Sequence, residues 1–456
     1  MSREEGGDPT VSGGSLKRRD VLKTAGGLGI TGLIAGCGGG GDGGDGGDGG
    51  DGGNGNGGNG GSTDGGDGTL KMGILEDRSG NFALTGIQKW HAQKLAIEEI
   101  NEEGGILGKE IETIAPDPQS NVQRYQELGS RLIEQDRVDV LFAGFASSTR
   151  EAVRPVVDRN QQLYFYTNQY EGGVCDTYTW CTGAVPEQQI SPVLPALVDE
   201  FGPNLYTIAA DYNFGQITAA WYRKVAEENG YNIMNEEFIP LEVSQFGSTI
   251  NRIQEADPDI LITLLVGTNH ASFYDQKASA GLDVPMNTTV NMAQGYEHRR
   301  FDPPALANMH VGVNYMQEIP TDRNRAFVDR FYERWPDAEY VGQMAQNSYF
   351  TTYLYKQACE KAGTTNQNEV MKVLDEEPIT VEAPEGDIQT DPSTHHMYHV
   401  IRVARANEEH EIEFTDTFES IEPFWLSETP YPGCDLDQVI GPSPDEHTTQ
   451  FTPQGV

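Results

Sequence analysis

Four short apolar segments of the sequence are each followed by a cluster of polar and aromatic residues. The clusters are Gly144-Phe-Ala-Ser147-Ser148-Thr-Arg150, Tyr166-Thr-Asn168-Gln-Tyr170-Glu171, Asp211-Tyr212-Asn-Phe-Gly215 and Gly267-Thr268-Asn-His270. Hydroxyl, amide and phenol groups can both donate and accept hydrogen bonds, so the clusters suit a small polar ligand. Taken singly, each cluster is also explained by helix capping through Ser147 or Ser148, or by turn chemistry.

The clusters fall between alternating strand and helix patterns. Strands are predicted at 70–75, 109–115, 138–143, 163–167, 205–210, 231–238 and 260–266, and helices at 86–101, 123–135, 148–159, 187–201, 214–229, 247–256 and 269–280. Such alternation predicts parallel sheets flanked by helices, and the length favours two α/β lobes. Ligands of open parallel sheets bind beyond the carboxyl ends of the strands, where the four clusters lie.

The chain of 456 residues has a net charge of −39, and most of that charge belongs to its body. Residues 38–68 hold 20 of the 54 glycines and six aspartates without Lys or Arg, which predicts a flexible linker. Residues 69–456 carry 60 acidic and 26 basic residues, a net of −34. This charge excludes nucleic-acid binding, because phosphate contacts need clustered Lys and Arg. Its even spread predicts a halophilic protein, with an ordinary acidic protein as the alternative.

The N-terminal segment has the features of an export signal. Arg18-Arg19 precede a short apolar run from Leu28 to Ala35, which resembles a twin-arginine signal and is too short to span a bilayer. The run ends in Ile34-Ala-Gly-Cys37, which resembles a lipobox. We therefore predict a signal peptide at 1–36, a lipidated Cys37, and a linker to residue 68 that holds the body outside the cell membrane. The alternative is a cytoplasmic basic arm followed by a chance cysteine.

Four further cysteines could form disulfides in an exported protein. We predict that Cys175 pairs with either Cys181 or Cys434, a choice that the sequence leaves open. Cys359 falls on the apolar face of a predicted helix, which indicates a buried free thiol.

The sequence gives little support for an enzyme. It contains no His-Glu-x-x-His, Gly-x-Ser-x-Gly or phosphate-loop motif. An amidase that uses Cys175 as its nucleophile is the rival reading. His395, His396 and His399 are spaced for a strand and turn more than for metal ligation. We therefore expect no catalytic residue, no metal and no cofactor.

The body resembles the solute-binding proteins of urea and short-chain amide ABC transporters, within the branched-chain amino-acid-binding group. Tyr170-Glu171-Gly172 and Asp211-Tyr212 are typical of the urea and amide branch. The other matching stretches are residues 96–109, 149–156, 182–189 and 391–396, so the resemblance covers most of 69–400.

The resemblance implies a two-lobed type I periplasmic-binding fold that closes on its ligand by a hinge. It places lobe 1 at 69–188 and 317–377, and lobe 2 at 189–316 with a C-terminal part at 378–456. The ligand-binding residues that we expect are Ser147, Tyr166, Asn168, Tyr170, Asp211, Tyr212, Gly267, Thr268 and Gln294. Permease subunits of an ABC importer are the expected partners.

The resemblance favours urea or a short amide as the ligand, although Gln294 stands where urea-binding relatives often have an acid. An α-amino acid would need partners for both of its charges. Asp211 or Glu171 could meet the ammonium, whereas no Arg or Lys is expected at the strand ends for the carboxylate. A branched-chain or other amino-acid receptor and an amide sensor without transport remain the alternatives.

Overall fold

The computed structural model describes residues 68–267, 269–423 and 436. The predicted signal peptide, Cys37 and nearly all of the linker lie outside these residues, as do Thr268 and Cys434. Within the described part of the chain, no helix is both long and apolar enough to cross a membrane.

The first sheet is built from the N-terminal third of the body. Its five strands pair in parallel in the order β2-β1-β3-β4-β5. The strands are β1 (Thr69–Leu75), β2 (Glu110–Ile114), β3 (Val140–Ala143), β4 (Tyr164–Tyr166) and β5 (Thr179–Cys181). The connecting helices are α1 (Ala83–Glu102), α2 (Val122–Ser130) and α3 (Ser147–Asn160), and α2 continues into a π-helical turn at Arg131–Asp136. The residues of β3, β4 and β5 are all buried, as expected for strands covered on both faces.

The second sheet has nine strands in the order β11-β12-β13-β10-β9-β8-β6-β7, with β14 paired to β13. The strands are β6 (Asn204–Ala210), β7 (Asn232–Ile239), β8 (Ile260–Leu264), β9 (Met286–Thr288), β10 (Met309–Val313), β11 (Thr380–Ala383), β12 (Gly386–Asp391), β13 (His396–Ala406) and β14 (Ile412–Ile421). The helices that follow β5 and lead up to β10 are α4 (Pro186–Gln189), α5 (Leu194–Phe201), α6 (Asn213–Asn229), α7 (Gly247–Ala256), α8 (Asn269–Ser279) and α9 (Glu297–Arg300). Three further helices, α10 (Asp322–Arg334), α11 (Gln343–Ala362) and α12 (Gln367–Glu376), lie between β10 and β11 in the chain. Of these, α10 and α11 pack against α1 of the first sheet, and α12 packs against α11.

Two predicted features of the fold are wrong in detail. The second sheet is not wholly parallel, because β11 to β14 pair antiparallel through short turns and β13 also runs antiparallel to β10. The helix predicted at 187–201 is broken between α4 and α5. Pro192 lies in the break, where its ring and missing N–H oppose a continuous helix.

The two sheets and their helices give the predicted two-lobed α/β architecture. The parallel part of each sheet directs the carboxyl ends of its strands toward a helix start: β3 leads into α3, and β6 leads into α6. A small residue at position 215 in the first turn of α6 is required because a Cβ on Gly215 would lie 2.0 Å from the Ala210 carbonyl oxygen. These helix starts position the candidate ligand-binding side chains.

Candidate functional site

A cavity lies where the carboxyl ends of β3, β4 and β6 converge. Its volume, counted as the space open to the centre of a water molecule, is about 20 Å³. One bound water needs only slightly less than this. Its described lining is neutral throughout. The lining residues are Phe82, Phe145, Ala146, Ser147, Tyr166, Gln169, Tyr212, Phe214, Val266, Val290, Gln294 and Met344.

Two hydroxyl groups on the first-sheet side of the cavity donate their protons to the protein. The Ser147 hydroxyl donates to the Glu171 carboxylate, and the Tyr166 hydroxyl donates to the Phe145 carbonyl oxygen at 2.7 Å. A hydroxyl has one proton and two lone pairs, so each of these groups can offer a ligand only its lone pairs. This side of the cavity is therefore suited to ligands that carry N–H or O–H donors.

Glu171 and Arg150 form a buried ion pair directly behind Ser147. Glu171 Oε1 accepts from Arg150 Nη2 at 2.8 Å, and both side chains are 0% exposed. Arg150 Nε also bonds Glu151 Oε1 at 2.7 Å. Burial alone would lower the pKa of Arg150, but Glu171 and Glu151 raise it well above its usual range. Arg150 thus keeps its positive charge beneath the cavity.

The rings of two tyrosines enclose the Arg150 guanidinium. Its carbon lies 5.0 Å from the Tyr166 ring centroid and 4.5 Å from that of Tyr170. Tyr170 is buried, and its hydroxyl lies 2.6 Å from His396 Nε2. These contacts fix Tyr166, which lines the cavity, and place Tyr170 in a supporting layer behind it.

The opposite wall brings Tyr212 and Phe214 from the start of α6 together with Val266 from the end of β8. The Tyr212 hydroxyl has no hydrogen-bond partner among residues 68–267, 269–423 and 436. Burial raises the pKa of Tyr212 well above its usual range, so the phenol stays protonated. It is the aromatic group on this wall that can both donate to a ligand and accept from it.

Two amide side chains complete the polar lining. Gln294 lies at the cavity with its Nε2 atom 3.4 Å from Met344 Sδ. Gln169 is 4% exposed, and its Oε1 atom has no hydrogen-bond partner in the described structure. A buried amide oxygen without a partner is unfavourable, and a ligand N–H would satisfy it.

The structure brings together four of the predicted binding residues, namely Ser147, Tyr166, Tyr212 and Gln294. Asn168, Tyr170, Asp211 and Gly267 are not among the lining residues. Asn168 donates from Nδ2 to the Phe145 carbonyl oxygen at 2.6 Å, behind the lining. Asp211 is exposed and bonds Gln216, so it does not face the cavity.

Gly267 has a φ of +74°, and a Cβ there would lie 2.7 Å from Asn81 Nδ2. It therefore permits a close approach between the β8 end and the segment before α1, and it is not among the lining residues. Its predicted neighbour Thr268 lies outside the described residues.

Three aromatic residues and Gln169 line the cavity without having been predicted as binding residues. Phe82 and Phe145 stack with centroids 4.7 Å apart at the cavity, and Phe214 joins them from α6. Phe145 and Phe214 lie two and four residues after the strands predicted at 138–143 and 205–210, so their position was a usable signal. Arg150 sits one turn into α3, but its guanidinium pairs with Glu171 and Glu151 behind the lining, so no Arg or Lys of the described lining faces a ligand carboxylate.

The three histidines near residue 396 do not share a site. His395 Nε2 lies 3.0 Å from Asp375 Oδ1, and His399 Nδ1 lies 2.9 Å from Glu385 Oε1. His396 contacts Tyr170 instead. Within the described residues, no group of three or more His, Cys, Asp or Glu side chains is arranged to hold a metal ion.

Cys175 is disulfide-bonded, whereas Cys181 and Cys359 are free and buried. The predicted alternative of a Cys175–Cys181 pair is therefore wrong, and the partner of Cys175 lies outside the described residues. The prediction of a buried free thiol at Cys359 is confirmed. Burial raises the pKa of the Cys181 thiol to about 12, which does not favour a nucleophilic role for it.

Comparison with known proteins places this architecture in a family. A curated relative, Leu/Ile/Val-binding protein homolog 7 of Brucella abortus (strain 2308), is 23% identical over 226 residues. That match covers 46% of this chain and 56% of the relative, so the chain spans only about half the length of the curated relatives it matches.

Two solved structures illustrate the shared fold. One is a solute-binding protein of an ABC transporter from Rhodopseudomonas palustris BisB5, in complex with 3,4-dihydroxybenzoic acid. It has a TM-score of 0.69 and 20% identity, and the match covers 78% of this chain and 99% of that one. The other is a leucine-, isoleucine-, valine-, threonine- and alanine-binding protein from Brucella ovis in its closed conformation. It has a TM-score of 0.70 and 19% identity, over 78% of this chain and 97% of that one.

Both likenesses confirm the predicted two-lobed α/β fold, since similarity at this level of identity speaks to the fold alone. A family model described as periplasmic binding protein matches residues 69–411, well over half of the chain. The chain belongs to the periplasmic binding protein family.

Proposed function

We propose that this protein is an extracytoplasmic receptor that captures urea or a short-chain amide in the cleft between its lobes and delivers it to an ABC importer. The cleft is the cavity lined by Ser147, Tyr166, Tyr212 and Gln294. Lobe 1 comprises 69–188 and 317–377, and lobe 2 comprises 189–316 and the C-terminal part, as the resemblance implies.

The observation that carries the proposal is the direction of the hydrogen bonds at Ser147 and Tyr166. Both hydroxyls donate to protein acceptors, so both face the ligand as acceptors. The unpartnered Gln169 Oε1 adds a third acceptor. Urea and primary amides carry two or more N–H donors and can meet these atoms, whereas a carboxylate would oppose them with lone pairs of its own.

Size and charge agree with a small neutral ligand. The cavity has room for little more than one bound water, which favours the smallest of the candidate ligands. Its described lining includes no charged side chain, so neither a carboxylate nor an ammonium would find a direct counter-charge there. A neutral ligand also experiences no long-range repulsion from a body that carries a net charge of −34.

A second candidate function is the binding of an amino acid or another small carboxylic acid. The backbone amides of Ser147 and Ser148 precede the first hydrogen bond of α3, from Thr149 N to the Ala146 carbonyl oxygen at 2.9 Å. Free amides at a helix start attract anions. The structurally similar proteins described above include one in complex with an aromatic acid and one named for five amino acids.

The proposed cellular location rests on the sequence of residues 1–68. We propose that the chain is exported by the twin-arginine route, lipidated at Cys37 and held off the membrane by the glycine-rich linker. A sensor that binds the same ligand and signals to a membrane partner is the alternative to transport. Neighbouring genes for two permeases and two ATPases would support transport, whereas an adjacent kinase gene would contradict it.

Titration calorimetry on the mature chain in molar salt tests the ligand class. The panel is urea, formamide, acetamide, leucine and 4-hydroxybenzoate. Binding of urea or a short amide in preference to the two acids supports the proposal. Tight binding of leucine or 4-hydroxybenzoate without binding of the amides would favour the second candidate and exclude the first.

A further inference from the structure

Glu171 is a fully buried carboxylate that lies behind the cavity and does not line it. One of its oxygens accepts the Ser147 proton, and the other accepts from Arg150 Nη2 at 2.8 Å. Its backbone carbonyl also accepts from Trp221 Nε1 at 3.1 Å. The carboxylate is therefore held in one orientation with respect to Ser147.

We propose that Glu171 determines the ligand preference of this receptor by fixing the Ser147 hydroxyl as a hydrogen-bond acceptor. An ionised carboxylate can only accept, so the hydroxyl proton points away from the cavity and toward Glu171. The lone pairs of Ser147 Oγ then face the ligand. Glu171 acts as a positioning residue that selects N–H donors without touching the ligand. This inference rests on the function proposed above.

A purely structural role for Glu171 would be to neutralise Arg150, but a second acid already contributes to that. Glu151 Oε1 bonds Arg150 Nε at 2.7 Å, and its other oxygen bonds Arg154 Nη1 at 2.7 Å. The Glu151 side chain is 29% exposed, and its hydrogen bonds to Arg150 and Arg154 do not involve a residue that lines the cavity. Glu171 differs from it by the contact with Ser147, which is the contact that affects the ligand.

The test compares Glu171→Gln with the matched control Glu151→Gln, using urea, acetamide and acetate as probes. Acetamide and acetate have nearly the same shape. Acetamide offers N–H donors and one acceptor oxygen, whereas acetate offers only acceptor oxygens and carries a negative charge. A glutamine at 171 allows the Ser147 proton to turn toward the cavity. The preference for acetamide over acetate should fall by about tenfold in Glu171→Gln. In Glu151→Gln, which also removes a negative charge that lies beside Arg150, the acetamide-to-acetate preference should stay within about twofold of wild type.

The removal of Glu171 alone leaves Arg150 with less compensation and endangers folding. The double variant Arg150→Met/Glu171→Gln removes both charges of the pair and keeps Glu151 paired with Arg154. Thermal unfolding identifies the folded variants. The double variant should show the same loss of preference as Glu171→Gln.

A double-mutant cycle with Ser147→Ala tests whether Glu171 acts through the Ser147 hydroxyl or has only a structural role. If Glu171 acts through Ser147, Glu171→Gln should change urea affinity by less than about twofold in the Ser147→Ala background. An equal loss in both backgrounds, or an unchanged acetamide-to-acetate preference in a folded variant, would overturn the inference. If wild type binds neither urea nor acetamide, the proposed function fails and this inference fails with it. If wild type binds them and the variants keep its preference, only the role of Glu171 fails.

Discussion

Ser147 donates its hydroxyl proton to Glu171, so the serine at the start of α3 meets the cavity with lone pairs only. The sequence also allows Ser147 to cap this helix, but Ala146 is the N-cap residue and the Ser147 hydroxyl bonds Glu171 instead. The contact with a buried ion pair behind the cavity gives Ser147 a defined hydrogen-bonding polarity. Because Ser147 can only accept a hydrogen bond from a ligand, the site favours ligands that carry N–H or O–H donors.

Tyr212 should contribute directly to binding. Its hydroxyl lacks a partner among the described residues and lies at the cavity. Tyr212→Phe should weaken binding of the preferred amide by at least about 1 kcal/mol, because one hydrogen bond to the ligand is lost. Titration calorimetry measures the change.

Tyr222→Phe is the matched control for that experiment. Tyr222 lies on the same helix, α6, but its hydroxyl bonds Asn287 Oδ1 at 2.6 Å inside the second sheet's core. This variant should lose some thermal stability and keep its affinity. Equal affinities for Tyr212→Phe and wild type would remove Tyr212 from the binding site.

We predict a disulfide between Cys175 and Cys434. Thr177 Oγ1 donates to the Leu436 carbonyl oxygen at 3.1 Å, so the chain two residues after each cysteine is in contact. Mass spectrometry of a non-reduced digest should find the peptides of Cys175 and Cys434 joined. The free thiols Cys181 and Cys359 should react with a maleimide only after unfolding. A peptide pair that joins Cys175 to any other cysteine would contradict the prediction.

Stability should fall in mild acid because of His396. Burial lowers the pKa of His396 to about 4, against 6.5 for an unfolded chain. Between these values the unfolded chain binds a proton that the folded chain does not, so unfolding becomes more favourable as the pH falls from 6.5 to 4. The shift corresponds to at most about 3 kcal/mol.

Thermal unfolding of wild type and His396→Gln across pH 4 to 7 measures this effect. The variant lacks the titrating group, so its melting temperature should fall less over this window than that of wild type. Parallel pH profiles for the two proteins would show that His396 is not responsible.

Salt should stabilise the folded body. Its net charge of −34 favours expansion by self-repulsion, and the Debye length shrinks to about 3 Å at 1 M salt. The melting temperature should therefore rise between 0.1 and 2 M KCl. An unchanged or lower value at high salt would contradict the halophilic interpretation.

The strands and helices of the parallel regions were predictable because their apolar residues follow simple periods. The strand predicted at 205–210 and the helix predicted at 214–229 agree with β6 and α6 to within a residue. Beyond the helix predicted at 269–280, the strand and turn predicted for His395, His396 and His399 agree with the turn before β13 and with the start of β13 itself. The pairing of β11 to β14 depends on contacts between strands, which no local apolar period shows. The break at Pro192 depends on a local proline effect that the apolar period does not show.

Three of the residues that line the cavity were predictable from their position after strands. Ser147, Tyr166 and Tyr212 follow strands, and the carboxyl ends of parallel strands meet at one edge. Phe82 is the N-cap residue of α1 and lies seven residues after the end of β1, whereas Met344 comes from the start of α11, far from any strand end in sequence. The role of Arg150 depends on three-dimensional packing between two tyrosine rings, and no spacing in the sequence indicates it.

The measurement that tests the central claim most directly is the ratio of the affinities of the wild-type mature chain for acetamide and for acetate, in molar salt near neutral pH. The two ligands match in size, so the ratio reports hydrogen-bonding polarity and charge. We predict that acetamide binds more tightly, by about tenfold or more, because Ser147, Tyr166 and Gln169 present acceptors. Tighter binding of acetate would contradict the assignment of an amide receptor.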